Sequence, residues 1–362
     1  MVRSQGCVEW RGRFDTQSGL AIEARSYIDG LQAEGFHVHR VSVGPGHRPM
    51  PVPDTPNCLR KPDVTVLHVL WHDHGWADLP KSPRIWRAVF ETASVPPDWL
   101  NRAGKVDEIW VPSHFNAAAL AAGGVPAAKV RVLPEAIEDR WLETRSPPYP
   151  RTGTFRFLSV FKWQYRKGWD VLLEAYCQEF TADDDVELLI RADPLVPEDC
   201  NIPTTVAAIQ SKFRNPPRVR LLEEALQPPA LRRLYAEAHA FVLPTRGEAW
   251  GRPFMEAMAC GLLAIGTGWG GQLDFMDSSN SLLIDFDLAD VPETAVREWP
   301  EFRGQQWAEP SVESLRHCLR RAVNNGADLA TLRHNAREVI RQRYRQEVVG
   351  KLLANELRRH LP

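Results

Sequence analysis

Leu243-Pro-Thr-Arg-Gly-Glu-Ala-Trp-Gly-Arg-Pro-Phe-Met-Glu-Ala-Met-Ala-Cys-Gly261 joins a short apolar run to an Ala- and Met-rich helical pattern. The run that leads into it, Ala240–Leu243, reads as a strand. Pro253 stands where the first turn of a helix favours proline. Gly247 and Gly251 let the backbone turn tightly and approach a ligand closely. The unpaired N–H groups of such a helix start face an anion. Glu248 falls in the loop, and Glu256 is expected in the first helical turn, where the helix dipole favours a carboxylate. Two glutamates eight positions apart arise readily by chance; the strand before them, the glycines and the helix after them make this pair specific. Strand, glycine-bearing loop and helix in that order form the unit of a parallel α/β sheet.

The same order recurs upstream in Phe157-Leu-Ser-Val-Phe-Lys-Trp-Gln-Tyr-Arg-Lys-Gly-Trp-Asp170. Lys162, Arg166 and Lys167 gather at its loop, beside Gly168. Cations above a helix start are a phosphate clamp in physical terms, although a solvated basic turn carries the same residues. Downstream, Gly266-Thr-Gly-Trp-Gly-Gly-Gln-Leu-Asp274 follows the strand pattern Leu262–Gly266 and brings further backbone amides to the same end of a sheet. In the first half, Phe14-Asp-Thr-Gln-Ser-Gly-Leu20 precedes a helical pattern over Ser18–Glu34, so Ser18 and Gly19 add another set of amides.

Apolar strands alternate with helical patterns along the rest of the chain. Strands are expected at Phe36–Val43, Val64–Leu70, Val106–Val111 and Val130–Leu133, with a helix over Ser113–Ala122 that Ser113 caps. The proline-rich, polar segment Glu143-Thr-Arg-Ser-Pro-Pro-Tyr-Pro-Arg-Thr-Gly153 continues neither a helix nor a strand and reads as a linker. A second series follows, with strands at Phe155–Val160, Val186–Ile190 and Val219–Leu222 and helices over Gly168–Glu179 and Pro228–Ala238. The division is residues 1–142, a linker over 143–153, residues 154–340, and a closing helix over 341–362 that packs back on the first domain. Two α/β units joined in this way make a natural cleft, and open parallel sheets bind ligands beyond the carboxyl ends of their strands.

Composition removes several classes. The 362 residues carry a net charge of −2 and 44% hydrophobic residues, which suits globular domains and argues against wholesale disorder. Of the 44 basic residues 36 are Arg, yet 46 acidic residues balance them, so a general nucleic-acid binder is not expected. The six cysteines have no CxxC spacing and read as reduced thiols. No apolar run reaches the roughly 20 residues that span a bilayer, and no secretory signal opens the chain, so a cytoplasmic protein is expected.

Together these residues resemble the retaining nucleotide-sugar glycosyltransferases of family 4, whose GT-B fold places two Rossmann-like domains around a central cleft. The resemblance covers the second half clearly and the first half more loosely. The family's E-x7-E motif is met by Glu248 and Glu256. Its Arg–Lys pair, spaced by five and ending in Lys-Gly, is met by Lys162 and Lys167-Gly168, with Lys in place of Arg and Phe161 where Gly is usual. Lysine keeps the charge and loses the bidentate fork, a loss that Arg166 is placed to offset. The resemblance implies that Glu248, Lys162 and Lys167 are catalytic, Glu248 meeting the donor sugar and the lysines the leaving diphosphate. It implies that Glu256 holds the ribose hydroxyls. Arg166, Gly251, Arg252, Pro253, Trp250, Gly270, Gly271, Ser18 and Gly19 complete the donor side, with Asp274 where Glu is commoner and Ser18 where the family's phosphate loop has its first Gly. Glu91 stands where many members carry a His near the sugar. The implied reaction moves a hexose-type sugar from a nucleotide diphosphate, UDP or GDP, to an acceptor hydroxyl with retained anomeric configuration. The donor is a co-substrate, and neither a resident cofactor nor a metal is expected.

His72-Asp73-His74 lacks a third ligand cluster, so it reads as acceptor- or sugar-side lining by His72 and His74 rather than a metal site. The 13 tryptophans read mostly as core, with Trp250 assigned to the site for its place beside Glu248. The Arg-rich tail, read as one helix over about Leu329–His360, has peripheral contact with an anionic membrane as its competing reading. Competing functions are a nucleotide-sugar epimerase on a similar fold, which would isomerise its donor without an acceptor, and a silent nucleotide- or sugar-binding protein, which would show no turnover.

Overall fold

Cys7-Val-Glu-Trp-Arg-Gly12 forms the first strand although Glu9 and Arg11 interrupt its hydrophobicity. Those two share one face of the strand and satisfy each other, Arg11 Nε donating to Glu9 Oε1 over 2.7 Å, while Val8 and Trp10 are fully buried on the other face. The computed structural model describes residues 5–16, 18–43, 50–52, 61–70, 76, 79–147, 153–194, 201–324 and 327–361. The chain divides into two units, residues 1–138 with 342–362, and residues 139–341.

The first unit holds β1 (Cys7–Gly12), β2 (His37–Ser42), β3 (Met50–Pro51), β4 (Val64–His68), β5 (Arg84–Arg87), β6 (Glu108–Val111) and β7 (Val130–Val132) in the order β3-β2-β1-β4-β5-β6-β7. All neighbours are parallel except β2 and β3. Helices α1 (Gly19–Ala33), α2 (Asp98–Ala103) and α3 (His114–Ala122) connect them. Ser113 caps α3 as its sequence position predicts, its hydroxyl accepting from Asn116 N.

The second unit begins with α4 (Asp139–Glu143) and carries β8 (Phe155–Trp163), β9 (Val186–Pro194), β10 (Arg218–Leu222), β11 (Ala240–Leu243), β12 (Leu263–Thr267) and β13 (Leu282–Ile284). These form an all-parallel sheet in the order β10-β9-β8-β11-β12-β13. Its helices are α5 (Trp169–Glu179), α6 (Ile202–Gln210), α7 (Pro228–Glu237), α8 (Arg252–Cys260), α9 (Glu293–Glu298), α10 (Val312–Asn324) and α11 (Ala327–Arg343). An antiparallel hairpin, β14 (Phe286–Asp290) with β15 (Gln306–Pro310), has no counterpart in the expected series and buries Trp307 completely.

The tail differs from a single helix. It breaks at Tyr344-Arg345, where Tyr344 is buried and its carbonyl accepts from Ile137 N, and α12 (Gln346–Arg358) follows. Val349, Leu353 and Leu357 of α12 recur every fourth residue and are fully buried in the first unit's core with Tyr27, Ile28 and Leu31 of α1. Two of the tail's arginines are bound internally: Arg333 donates to Gly261 O, and Arg337 donates to Ala259 O and Leu142 O. Ala259 O and Gly261 O stand at the carboxyl end of α8, where helical partners run out, and Leu142 O belongs to α4, so Arg337 ties the two helices together.

The thiol expectation is corrected at one position: Cys7 is disulfide-bonded, whereas Cys177, Cys260 and Cys318 are free, and Cys58 and Cys200 lie outside the described residues. Among the described residues no helix is long and apolar enough to cross a membrane.

α1 and α12 meet through paired glycines. A Cβ on Gly30 would lie 3.0 Å from Gly350 Cα, and one on Gly350 would lie 3.0 Å from Gly30 Cα. Backbone lies on both sides, so neither can yield without separating the helices. Gly350→Val is expected to destabilise the first unit by about 1–3 kcal/mol, read as a fall in the denaturant midpoint.

Candidate functional site

The strand order of the second sheet reverses between β8 and β11, and ligand sites of open parallel sheets form at that switch point beyond the carboxyl ends. The loops leaving these two strands lie directly against each other. Gly168 has φ +67°, and a Cβ there would sit 1.9 Å from Pro244 O, so only glycine allows the approach. Arg246 N donates to Arg166 O over 2.7 Å, and the Arg166 guanidinium donates to Gly247 O.

Glu248 stands at the centre and is 6% exposed. Lys167 Nζ donates to its Oε1 over 2.5 Å, Arg166 NH1 lies 3.5 Å from Oε2, and the Thr245 hydroxyl lies 3.1 Å from Oε1. Burial pushes this carboxyl's pKa up, but the Lys167 and Arg166 charges together with the hydrogen bonds outweigh it and hold the group below the ordinary carboxylate value. The loop after β12 joins the same centre: Gly271 N donates to Glu248 O over 2.8 Å, and Thr267 Oγ1 donates to Thr245 O over 2.7 Å. Gly270, at φ +115°, leaves room for the Gln272 side chain, whose amide holds Thr267 O and Trp269 O.

α8 opens at Gly251, which has φ +89°, and continues through Arg252 and Pro253. This places Glu256 in the second turn rather than the first. Glu256 is buried, with Arg252 Nε 3.2 Å from Oε1 and the Tyr235 hydroxyl 3.2 Å from Oε2.

The structure therefore brings Arg166, Lys167 and Glu248 into contact and sets Gly251, Arg252, Pro253, Gly270 and Gly271 around them or on the adjoining helix start. Two expectations change. β8 runs on to Trp163, so Lys162 is a strand residue with its side chain exposed between the buried Phe161 and Trp163, and among the described residues it makes no ion pair. Arg166 takes its place beside Lys167. Trp250 is an interior residue at 2% exposure, its ring 4.9 Å from that of Phe275 and its N–H directed to Met255 Sδ.

In the first unit Ser18 caps α1, its hydroxyl accepting from Ala21 N over 3.4 Å. Gly19 is exposed, and nothing stands within 4 Å of where its Cβ would be, so packing does not demand glycine there. Glu91 is half-buried in the loop after β5. His72 and His74 lie outside the described residues.

Sequence reasoning passed over two charged centres. Arg246 is 1% exposed and binds Asp170 and Glu309. In the first unit Glu23, His68 and Arg87 form a buried group, with Arg87 Nε 2.8 Å from Glu23 Oε1 and His68 Nε2 3.1 Å from Oε2. Burial pushes the Glu23 pKa up, yet Arg87 and His68 prevail and bring it down to about 2. A glutamate on the apolar face of α1 was the signal that could have revealed this group.

Residues 153–297 match the family described as Glycosyl transferases group 1. Solved structures align along nearly the whole chain. The HepE protein of Anabaena, solved with UDP and glucose, is 13% identical, with a TM-score of 0.68 over 97% of this chain and 99% of that one. A glycosyltransferase from Rickettsia africae is 12% identical, with a TM-score of 0.70 over 98% of each chain. Sucrose-phosphate synthase from Thermosynechococcus elongatus is 16% identical, with a TM-score of 0.68 over 98% of each. The fold is GT-B. At these identities the likeness is one of fold, two Rossmann-like α/β units in one chain. No curated protein matches the sequence.

Ionised Glu248 has a depressed folded-state pKa, so it contributes stability above the ordinary carboxylate value and loses it as pH falls through the lowered folded value. Glu248→Gln is expected to flatten the acid limb of the stability profile, measured by thermal unfolding from neutral pH downward.

Proposed function

We propose that this chain is a family 4-like retaining glycosyltransferase. It moves a hexose-type sugar from a UDP- or GDP-linked donor to an acceptor hydroxyl without a bound metal. The observation that carries this reading is the Lys167–Glu248 pair, flanked by Arg166 and held at the switch point of the second sheet.

The bond that breaks joins the anomeric carbon to the donor's phosphate oxygen, and negative charge gathers on the leaving diphosphate. Stabilising that charge is the largest demand of the reaction. Lys167 and Arg166 supply two fixed cations, and the start of α8 at Gly251-Arg252 supplies backbone N–H groups in line with a helix dipole. Lys162, exposed at the end of β8, is free to meet the phosphate from the solvent side. On this reading the incoming diphosphate replaces Glu248 as the partner of Lys167. The released carboxylate then accepts hydrogen bonds from the sugar hydroxyls. Glu256, held by Arg252 and Tyr235, faces the ribose. The acceptor oxygen attacks the face that the phosphate leaves, which retains the anomeric configuration. The HepE structure contains UDP and glucose, which supports a uridine diphosphate donor as the first to test.

Titration calorimetry with UDP, GDP, ADP and dTDP tests the reading. One diphosphate is expected to bind, and Lys167→Ala is expected to weaken it about tenfold or more, the loss of a charge-assisted bond worth about 1.5–3 kcal/mol. Absence of binding by all four overturns it.

A further inference from the structure

Arg246 uses every hydrogen-bond donor it has. Nε donates to Glu309 Oε2 over 2.7 Å, NH2 to Glu309 Oε1 over 2.7 Å and to Asp170 Oδ2 over 2.9 Å, and NH1 to Asp170 Oδ1 and Tyr165 O, each over 2.8 Å. Its guanidinium also lies 4.0 Å from the centre of the Tyr165 ring. These partners belong to three separate pieces of chain: the loop after β8, the first turn of α5, and β15 of the hairpin. Glu309 stands outside residues 153–297, so the third arm of this lock comes from beyond the segment that matches the family. The main chain of the same residue is engaged as well, its N–H with Arg166 O and its carbonyl with Ala308 N.

We propose that Arg246 is a positioning residue for the diphosphate clamp. It holds Tyr165 two residues before Lys167 and stands two residues before Glu248, so it sets the register of the two loops whose tips form the Lys167–Glu248 pair. It does not touch the donor. The assignment rests on the clamp reading of Lys167. The geometry is specific to arginine: a planar fork engages two carboxylates and a carbonyl at once, whereas an ammonium has three donors and no plane. Asp170 and Glu309 keep side-chain exposures of 29% and 41%, so water can solvate them once the guanidinium is removed, and Arg246→Lys is expected to fold.

Two measurements on Arg246→Lys decide the matter. Hydrogen exchange at the Lys167, Gly168 and Arg246 amides, bonded to Gln164 O, Tyr165 O and Arg166 O, is expected to speed up about tenfold or more. Unchanged exchange overturns the proposal. Donor kcat/KM is expected to fall about tenfold or more in the wild-type background and less than about threefold in a Lys167→Ala background, because the lock acts through Lys167. Equal losses in both backgrounds overturn it in favour of a merely structural role. Glu309→Gln, which leaves the Asp170 arm in place, is expected to give the same exchange pattern at smaller amplitude and guards against a folding failure of the first variant. A wild-type protein that binds no nucleoside diphosphate defeats the clamp reading, and the exchange result still decides whether Arg246 orders the loops.

Discussion

A lysine and a glutamate removed from water must be held together or they destabilise the fold, and the Lys167–Glu248 pair imposes that condition on the second unit. An ion leaving water loses several kcal/mol of solvation, which attraction returns only when geometry is good and the remaining lone pairs are satisfied. Around Glu248 each requirement is met by a different loop. The loop after β8 supplies Lys167 and Arg166, the loop after β11 supplies Thr245, and the loop after β12 binds the Glu248 carbonyl through Gly271. Gly168 is the steric condition for all of this, since any side chain would collide with Pro244 O and separate the first two loops. A carboxylate held this way remains ionised.

Much of the second unit was legible because loop chemistry there coincides with secondary-structure punctuation. Gly168, Gly251 and Gly261 all have positive φ, and each marks the start or end of a helix that the sequence pattern had already suggested. The E-x7-E spacing spans the loop after β11 and the start of α8, although the helix begins one residue before Pro253 and Glu256 therefore falls in its second turn rather than its first. Where Trp250 points was not legible: its place beside Glu248 does not reveal that the loop turns its ring inward onto Phe275. The hairpin over 286–310 stayed hidden because four of the ten residues in its strands are charged or polar and Leu288 is exposed, so alternation toward the core is weak.

The first unit was harder to read for an electrostatic reason. Its first strand carries Glu9 and Arg11, its first helix turns Glu23 inward, and β5 begins and ends with arginine. Each charge contradicts the usual hydrophobic pattern, and each is resolved by a partner distant in sequence or two residues away, which periodicity does not register. Arg87 is the clearest case. It reaches Glu23 in α1 and Leu133 O after β7, and its guanidinium stands 5.1 Å from the centre of the Tyr27 ring.

α12 bears on the order in which the chain folds. The first unit lacks Val349, Leu353 and Leu357 until the last helix is made, and the whole second unit, residues 139–341, intervenes. At the 5–20 residues per second of protein synthesis that interval lasts roughly 10–40 s. During it the second unit is contiguous and free to fold on the ribosome, while Tyr27, Ile28 and Leu31 lack the helix that covers them. The chain is thus synthesised with its first core open for much longer than its second, and that interval is when misassembly and chaperone capture compete with folding.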